Sequence, residues 1–239
     1  HNYKKSILRI FYKEILSFLD QAIENLPKGD KHASGSPAKY DLLFNGDAAK
    51  WVKFANGLKA RYTMRLLKVS ANQNQALQDV IKYVDGSFQS ANEQAAFNVY
   101  GASNLNPLFD FQWSRDGLAA SKSLADKMIV RNDPRLTRNF TTAKLKQVAA
   151  MTPGDTDYLL LAPNGENDQT QYHYLTSTFV YSQTASTQLL SFHELLFLKA
   201  EALQRLGRST SEIEPILKSA IVAAFVNSEK SVEAAFIAP

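Results

Sequence analysis

Apolar residues recur every three or four positions at the start of the chain: Ile7, Ile10/Phe11, Ile15, Phe18/Leu19, Ala22/Ile23 and Leu26. That spacing lays one apolar stripe along a helix, and Pro27 ends it, since proline removes a backbone donor and clashes with the preceding turn. The pattern is already under way at Tyr3, which predicts that further chain precedes it. Residues 28–40 are rich in Gly, Ser, Pro and Lys and read as a solvated loop. A second helix is predicted from Asp47, an N-cap residue type, through Trp51, Phe54/Ala55, Leu58, Tyr62, Leu66 and Val69. A third covers about 74–84, with Leu77, Val80/Ile81 and Val84 on one face and Gly86 as its stop signal.

Periodicity then lapses. Over 87–116, Phe88, Phe97, Tyr100, Phe109, Phe111 and Trp113 stand among Asn, Ser, Gly and Pro with no sustained helical spacing. A fourth helix is predicted over 121–130, stopping before Asp133-Pro134, because a residue preceding proline avoids helical geometry. Residues 137–187 are again irregular, with turn signals at Thr152-Pro153-Gly154-Asp155 and Ala162-Pro163-Asn164-Gly165. They carry Tyr158, Tyr172, Tyr174 and Tyr181, and two short edge strands are predicted at 158–161 and 179–181. Helical spacing returns at Leu189/Leu190 and runs through His193, Leu196/Phe197, Ala200, Leu203 and Leu206 to Gly207 at C′. A last helix is predicted to open with Pro215 at N1 and to carry Ile216/Leu217, Ala220/Ile221 and Ala224/Phe225.

This pattern predicts an all-α fold, one domain over 1–239, with long irregular loops inserted at about 87–117 and 137–187. The two ends echo one another in tetratricopeptide fashion. Ala22-Ile23-Glu24-Asn25-Leu26-Pro27 has the ending of a second repeat helix, and Ala202 to Gly207, followed by Ile213 and Ala220-Ile221, matches a first-to-second-helix junction. Small residues at the crossing and a tight glycine turn are what such a hairpin needs.

Composition narrows the chemistry. The net charge of +4 is dispersed, with no Lys/Arg cluster, so a phosphate-tracking surface for nucleic acid is not expected. The absence of cysteine excludes disulfides, zinc thiolates and thiol nucleophiles. No apolar run reaches membrane-spanning length.

Three segments resemble one family. The helix Trp51-Val52-Lys53-Phe54-Ala55-Asn56-Gly57-Leu58-Lys59-Ala60-Arg61-Tyr62-Thr63-Met64-Arg65-Leu66 is preceded by Asp41-Leu42-Leu43-Phe44-Asn45-Gly46-Asp47. Asn132-Asp133-Pro134-Arg135 and Glu194-Leu195-Leu196-Phe197-Leu198-Lys199-Ala200-Glu201-Ala202 follow in order. Together they resemble the SusD/RagB family of nutrient-binding outer-membrane lipoproteins, with Gly57 standing where serine is more usual. The resemblance implies a tetratricopeptide-like scaffold with loop-built binding surfaces and a lipid anchor at the cell surface. It further implies a SusC-like TonB-dependent transporter as partner, an oligosaccharide or peptide as ligand, and a chain that continues beyond the last repeat.

Among candidate sites, Arg61 and Arg65 share a helix face and are expected to pair with acidic residues such as Glu194 or Glu201 between helices, with Trp51 in the core. Asp155-Thr156-Asp157 with Glu166, Asn167 and Asp168 offers oxygen ligands but fits no calcium-loop spacing, so no metal is expected. His32, His173 and His193 have no partner at metal or triad spacing, and His193 reads as a satisfied histidine between helices. No cofactor and no catalytic constellation are read from the chain. The aromatics of the irregular segments remain. Trp113, in Asp110-Phe111-Gln112-Trp113-Ser114-Arg115-Asp116, reads either as a stacking platform with polar partners beside it or as a staple holding the segment on the helices. Tyr100, near Asn98 and Asn104, with Tyr158, Tyr172 and Tyr174 are further ligand candidates under the same alternatives. The favoured reading is a non-catalytic surface protein that binds glycan fragments and delivers them to the transporter. A tetratricopeptide-like scaffold that binds a protein segment, and a glycosidase on a helical frame, are the alternatives.

Overall fold

The computed structural model describes residues 2–29, 37–115, 118–136, 140–141, 162–165, 176–177 and 182–227. Among these residues run seven helices: α1 (Asn2–Asn25), α2 (Ala48–Leu66), α3 (Gln73–Asp85), α4 (Pro107–Arg115), α5 (Lys122–Val130), α6 (Phe192–Arg205) and α7 (Thr210–Asn227). Strand β1 (Ala95–Phe97) pairs with β4 (Thr187–Leu190). Strand β2 (Phe140–Thr141) pairs antiparallel with β3 (Thr176–Ser177), Phe140 opposite Ser177. The expected all-α, tetratricopeptide-like architecture is present. The strands expected at 158–161 and 179–181 lie outside the described residues. The chain divides into two compact units, residues 1–97 with 188–224 and residues 98–187 with 225–239.

In the first unit, helix α2 packs against α1, α3 and α6. Its start is set by carboxylates. Asp47 accepts from the backbone N–H groups of Ala49 and Lys50 at 3.0 and 3.1 Å, the N-cap role its position predicted. Just upstream, Asp41 organises a whole turn: its Oδ1 accepts from Leu43 N and Phe44 N, and its Oδ2 from Gly46 N and Trp51 Nε1, both at 2.7 Å. Asn45 and Gly46 take positive φ inside this turn, at 53° and 80°. The turn drives Phe44 into the core, edge-on to Trp51 with ring centroids 5.2 Å apart, while Phe54 stacks on buried Phe88. Leu77, Val80 and Val84 of α3 and Leu190, Leu195 and Ala202 complete this cluster.

Charged residues of α2 serve the same frame. Arg61 grips Glu194 with two hydrogen bonds of 2.6 Å and donates to the Leu189 carbonyl at 2.8 Å, so the expected pairing of α2 with α6 is met. Glu201 instead pairs with Arg205 along α6, and Arg65 is exposed beside the Tyr62 ring. Lys59 is buried, hydrogen-bonded to Asp20 of α1 and 4.2 Å from the Tyr83 ring centroid. Burial pushes the Lys59 ammonium down, but hydrogen bonds with Asp20 and Tyr83 more than offset this and hold it above the ordinary lysine value.

Four expectations about helix limits and faces need correction. The stripe of α1 is wider than the surface it covers: Ile15, Leu19 and Ile23 are half-buried, whereas Ile10, Phe11 and Phe18 are exposed. Leu189 and Leu190 belong to strand β4 and not to α6. Ser191 is extended, and its hydroxyl accepts from Glu194 N, so the helix cannot propagate upstream of this cap. Helix α7 opens at Thr210, and Pro215 lies inside it. The backbone N–H groups of Glu212 and Ile213 already bond to the Ser209 carbonyl, and the carbonyl that proline deprives of a partner belongs to exposed Ser211, where water reaches it. The sequence Ser209-Thr210-Ser211-Glu212 has the spacing of a capping box and carried this signal. Finally, the stretch expected to be irregular over 87–116 contains α4. By contrast, Gly207 is a C′ residue as expected: its φ is +70°, its N–H reaches Gln204 O, and Arg208 N reaches Leu203 O.

Gly57 explains itself by contact. A Cβ built there would sit 2.4 Å from Leu190 Cδ2 and 2.6 Å from Ser87 Oγ, and buried Ser87 is itself fixed by donation to the Lys53 carbonyl. A side chain at this position therefore requires the Leu190 and Ser87 side chains to shift.

In the second unit, α5 ends as predicted before the Asp-Pro-Arg turn. Asn132 takes φ 50°, and Asp133 N donates to Met128 O. The buried Asp133 carboxylate receives Arg135 N at 2.9 Å, Arg135 Nε at 3.0 Å and Arg135 Nη2 at 2.6 Å. The guanidinium lies 4.3 Å from the centroid of the fully buried Phe225 ring.

Two predictions test this frame. Gly57→Ala improves helix propensity by about 1 kcal/mol yet overpacks the crossing, and we expect a net loss of roughly 1–3 kcal/mol in urea denaturation; unchanged or raised stability refutes the crossing. For Asp41, burial pushes the carboxyl up, but the Trp51 indole and three backbone N–H groups pull it down to about 2. Because the folded value lies below the unfolded one, the stabilisation is complete above the unfolded value, about 4, and disappears as pH falls towards 2. Asp41→Asn should thus cost about 2 kcal/mol at neutral pH, with a smaller difference from the native protein at each step of an acid titration.

Candidate functional site

The second unit presents its largest exposed ring from α4. Asn106 starts this helix: its side-chain Oδ1 accepts from Leu108 N at 2.8 Å and Phe109 N at 3.3 Å, and Pro107 supplies a pre-set φ in the first turn. Asn106 is itself buried. Its Nδ2 donates to Ala185 O at 2.7 Å and its backbone N–H to Gln183 O at 2.9 Å, so one asparagine fixes both the helix start and the 182–187 segment. The Asn-Pro pair ahead of an apolar run was the signal for α4, and sequence reasoning missed it because the helix is only nine residues long.

Helical spacing then sorts the side chains. Phe109 and Gln112 point inward and are buried. Trp113, one turn beyond Phe109, stacks on it with centroids 6.0 Å apart and planes 15° apart, yet remains 73% exposed. The indole thus lies against a buried ring on one side while most of the residue is open to solvent. Gln112 does not serve the platform: its Oε1 accepts from Leu118 N at 2.6 Å and ties down the chain beyond the helix. Asp110, Ser114 and Arg115 are exposed, with Ser114 Oγ donating back to Asp110 O, and Asp116 lies outside the described residues.

Tyr100 is half-buried, and its hydroxyl lies 2.9 Å from Thr187 Oγ1. Its turn is closed by paired backbone hydrogen bonds between Gly101 and Asn104, with Asn104 Nδ2 donating to Val99 O. The Tyr100–Thr187 contact joins the 98–104 turn to the 182–187 segment. Tyr158, Tyr172 and Tyr174 lie outside the described residues, as do His32, His173 and the 155–157 and 166–168 oxygen clusters. The turn signal at 162–165 is a turn, with Gly165 at φ 90° and Asn164 bonded to Ser121 and Ser123 beside the start of α5. In the first unit His193 meets Ser191 Oγ at 3.1 Å. Among the described residues no group of three His, Asp or Glu side chains is placed to hold a metal ion, and no helix is long and apolar enough to cross a membrane.

No curated protein matches the chain. Solved structures do. A SusD/RagB family protein from Bacteroides thetaiotaomicron is 46% identical, with a TM-score of 0.80 over 96% of this chain and 47% of its own. A chitin-binding SusD homologue from Flavobacterium johnsoniae is 22% identical, with a TM-score of 0.76 over 97% of this chain and 47% of its own. A further chitin-binding protein is 23% identical, with a TM-score of 0.73 over 96% of this chain and 51% of its own. The chain thus spans about half the length of these solved relatives, and the two chitin-binding proteins share its fold. The model of the SusD-like family, described as starch-binding and associating with the outer membrane, matches residues 6–238, and the chain belongs to that family.

Proposed function

We propose that this chain is part of a surface lipoprotein of the outer membrane that binds oligosaccharides without chemical change and delivers them to a SusC-like TonB-dependent transporter. The observation that carries the reading is Trp113, a 73% exposed indole stacked on buried Phe109. A sugar ring presents an apolar C–H face rimmed by hydroxyl groups, and a flat, polarisable ring held in one orientation meets that face with little ordering cost. The Trp113 indole N–H has no partner among the described residues and is left to donate to a sugar oxygen. The family description and the chitin-binding relatives favour a glycan over a peptide. Tyr158, Tyr172 and Tyr174 stay in the proposal as further contacts. Tyr100 enters it as the residue that joins two segments beside α4.

Trp113→Ala tests the proposal. Isothermal titration with chito- and malto-oligosaccharides should show affinity falling by about tenfold or more for whichever glycan the native chain binds. Because Trp113 is exposed, thermal stability should change little. Undiminished affinity in the variant refutes the site.

A further inference from the structure

The charge around the platform points to a narrower ligand. Asp110 lies one turn before Trp113 on α4, so the two side chains are neighbours on the helix surface. Arg115 follows two positions after Trp113, and side chains two apart on a helix point to different sides. Asp110 is exposed, and its carboxylate makes no hydrogen bond or ion pair with any described residue. Ser114 does not engage that carboxylate, since its hydroxyl donates to the Asp110 and Phe111 backbone carbonyls. On α4, then, an exposed carboxylate with no partner among the described residues stands one turn before the indole, and the helix's one cation lies on a different side.

We infer that the Trp113–Asp110 pair selects a cationic amino sugar: a glycan carrying free, protonated amines in preference to its N-acetylated or hydroxyl counterpart. The inference rests on the glycan reading above and adds the ligand's charge. An ammonium group at the edge of a sugar stacked on Trp113 meets the negative face of the indole and the Asp110 carboxylate together. Acetylation removes the charge and with it both attractions. Neither alone is large at an exposed site; jointly they correspond to a preference of about tenfold at low ionic strength, shrinking as salt screens the carboxylate.

The test compares glucosamine, N-acetylglucosamine and maltose-series oligosaccharides of equal length by isothermal titration at low and high salt. The native chain should bind the glucosamine oligomer about tenfold more tightly than the acetylated one at low salt, and the preference should shrink at high salt. In Asp110→Asn the ratio should fall close to one, and in Asp110→Glu most of it should return. A native chain with no charge preference, or a preference that survives Asp110→Asn, overturns the inference while leaving the glycan reading intact if Trp113→Ala still weakens binding by about tenfold or more. If none of the three oligosaccharides binds, both fall. Displacement of the glucosamine oligomer by an oligolysine of equal charge at the same concentration also overturns it, since the surface then reads positive charge and not a sugar.

Discussion

Helix α2 makes a contact that leaves no room for a Cβ unless the facing side chains shift. At Gly57 the backbone of the helix meets Leu190 and Ser87 so closely that a Cβ overlaps both. The neighbouring packing of the first unit follows from that approach. Ala55 and Ala60 keep neighbouring parts of the helix small and buried, and Leu195 of α6 closes over the same region. Close approach of this kind permits dense packing with few voids, and its weakness is that one methylene is felt throughout. A serine at this position fits only if the partner side chains retreat.

The motif residues that mark the family are employed chiefly in holding this frame. Asp41 gathers four donors, Trp51 lies against Phe44, Arg61 grips Glu194, and Asp133 binds Arg135. Each places a charged or polar group in a half-buried or buried position, and each is matched by hydrogen bonds that offset the loss of hydration. Such residues identify the scaffold. They say little about the ligand, because their polar atoms are already used.

The side chains that the frame leaves unused are the ones the proposal draws on. Trp113 is held through Phe109, and α4 is held through Asn106, whose side chain and backbone make four of the bonds that fix the segment. The proposed platform therefore has supports that are tied into the unit and a ring that is largely open. On the proposed reading, such support lets a weak stacking contact count, since less freedom is lost when a sugar docks.

Much of this was legible in the chain. Period-3.6 spacing located α1, α2, α3 and α5 closely, because each buries one face and its apolar residues must recur at the helical repeat. Capping residues at Asp47 and Gly207 acted locally and were read correctly. Three local features were misread. Leu189-Leu190 fits a helical stripe as well as a strand, and only pairing with β1 decides between them. Pro215 is tolerated inside α7 because the carbonyl it leaves unpaired is exposed. Helix α4 is too short for its period to stand out among aromatic and polar neighbours. What the sequence determined by itself was the set of helices, their caps and the family they compose, since these follow from near neighbours along the chain. Which rings are sealed and which stay open was decided only by tertiary packing. Phe109 and Trp113 are four residues apart and chemically alike, and only the chain that covers one and misses the other separates their roles.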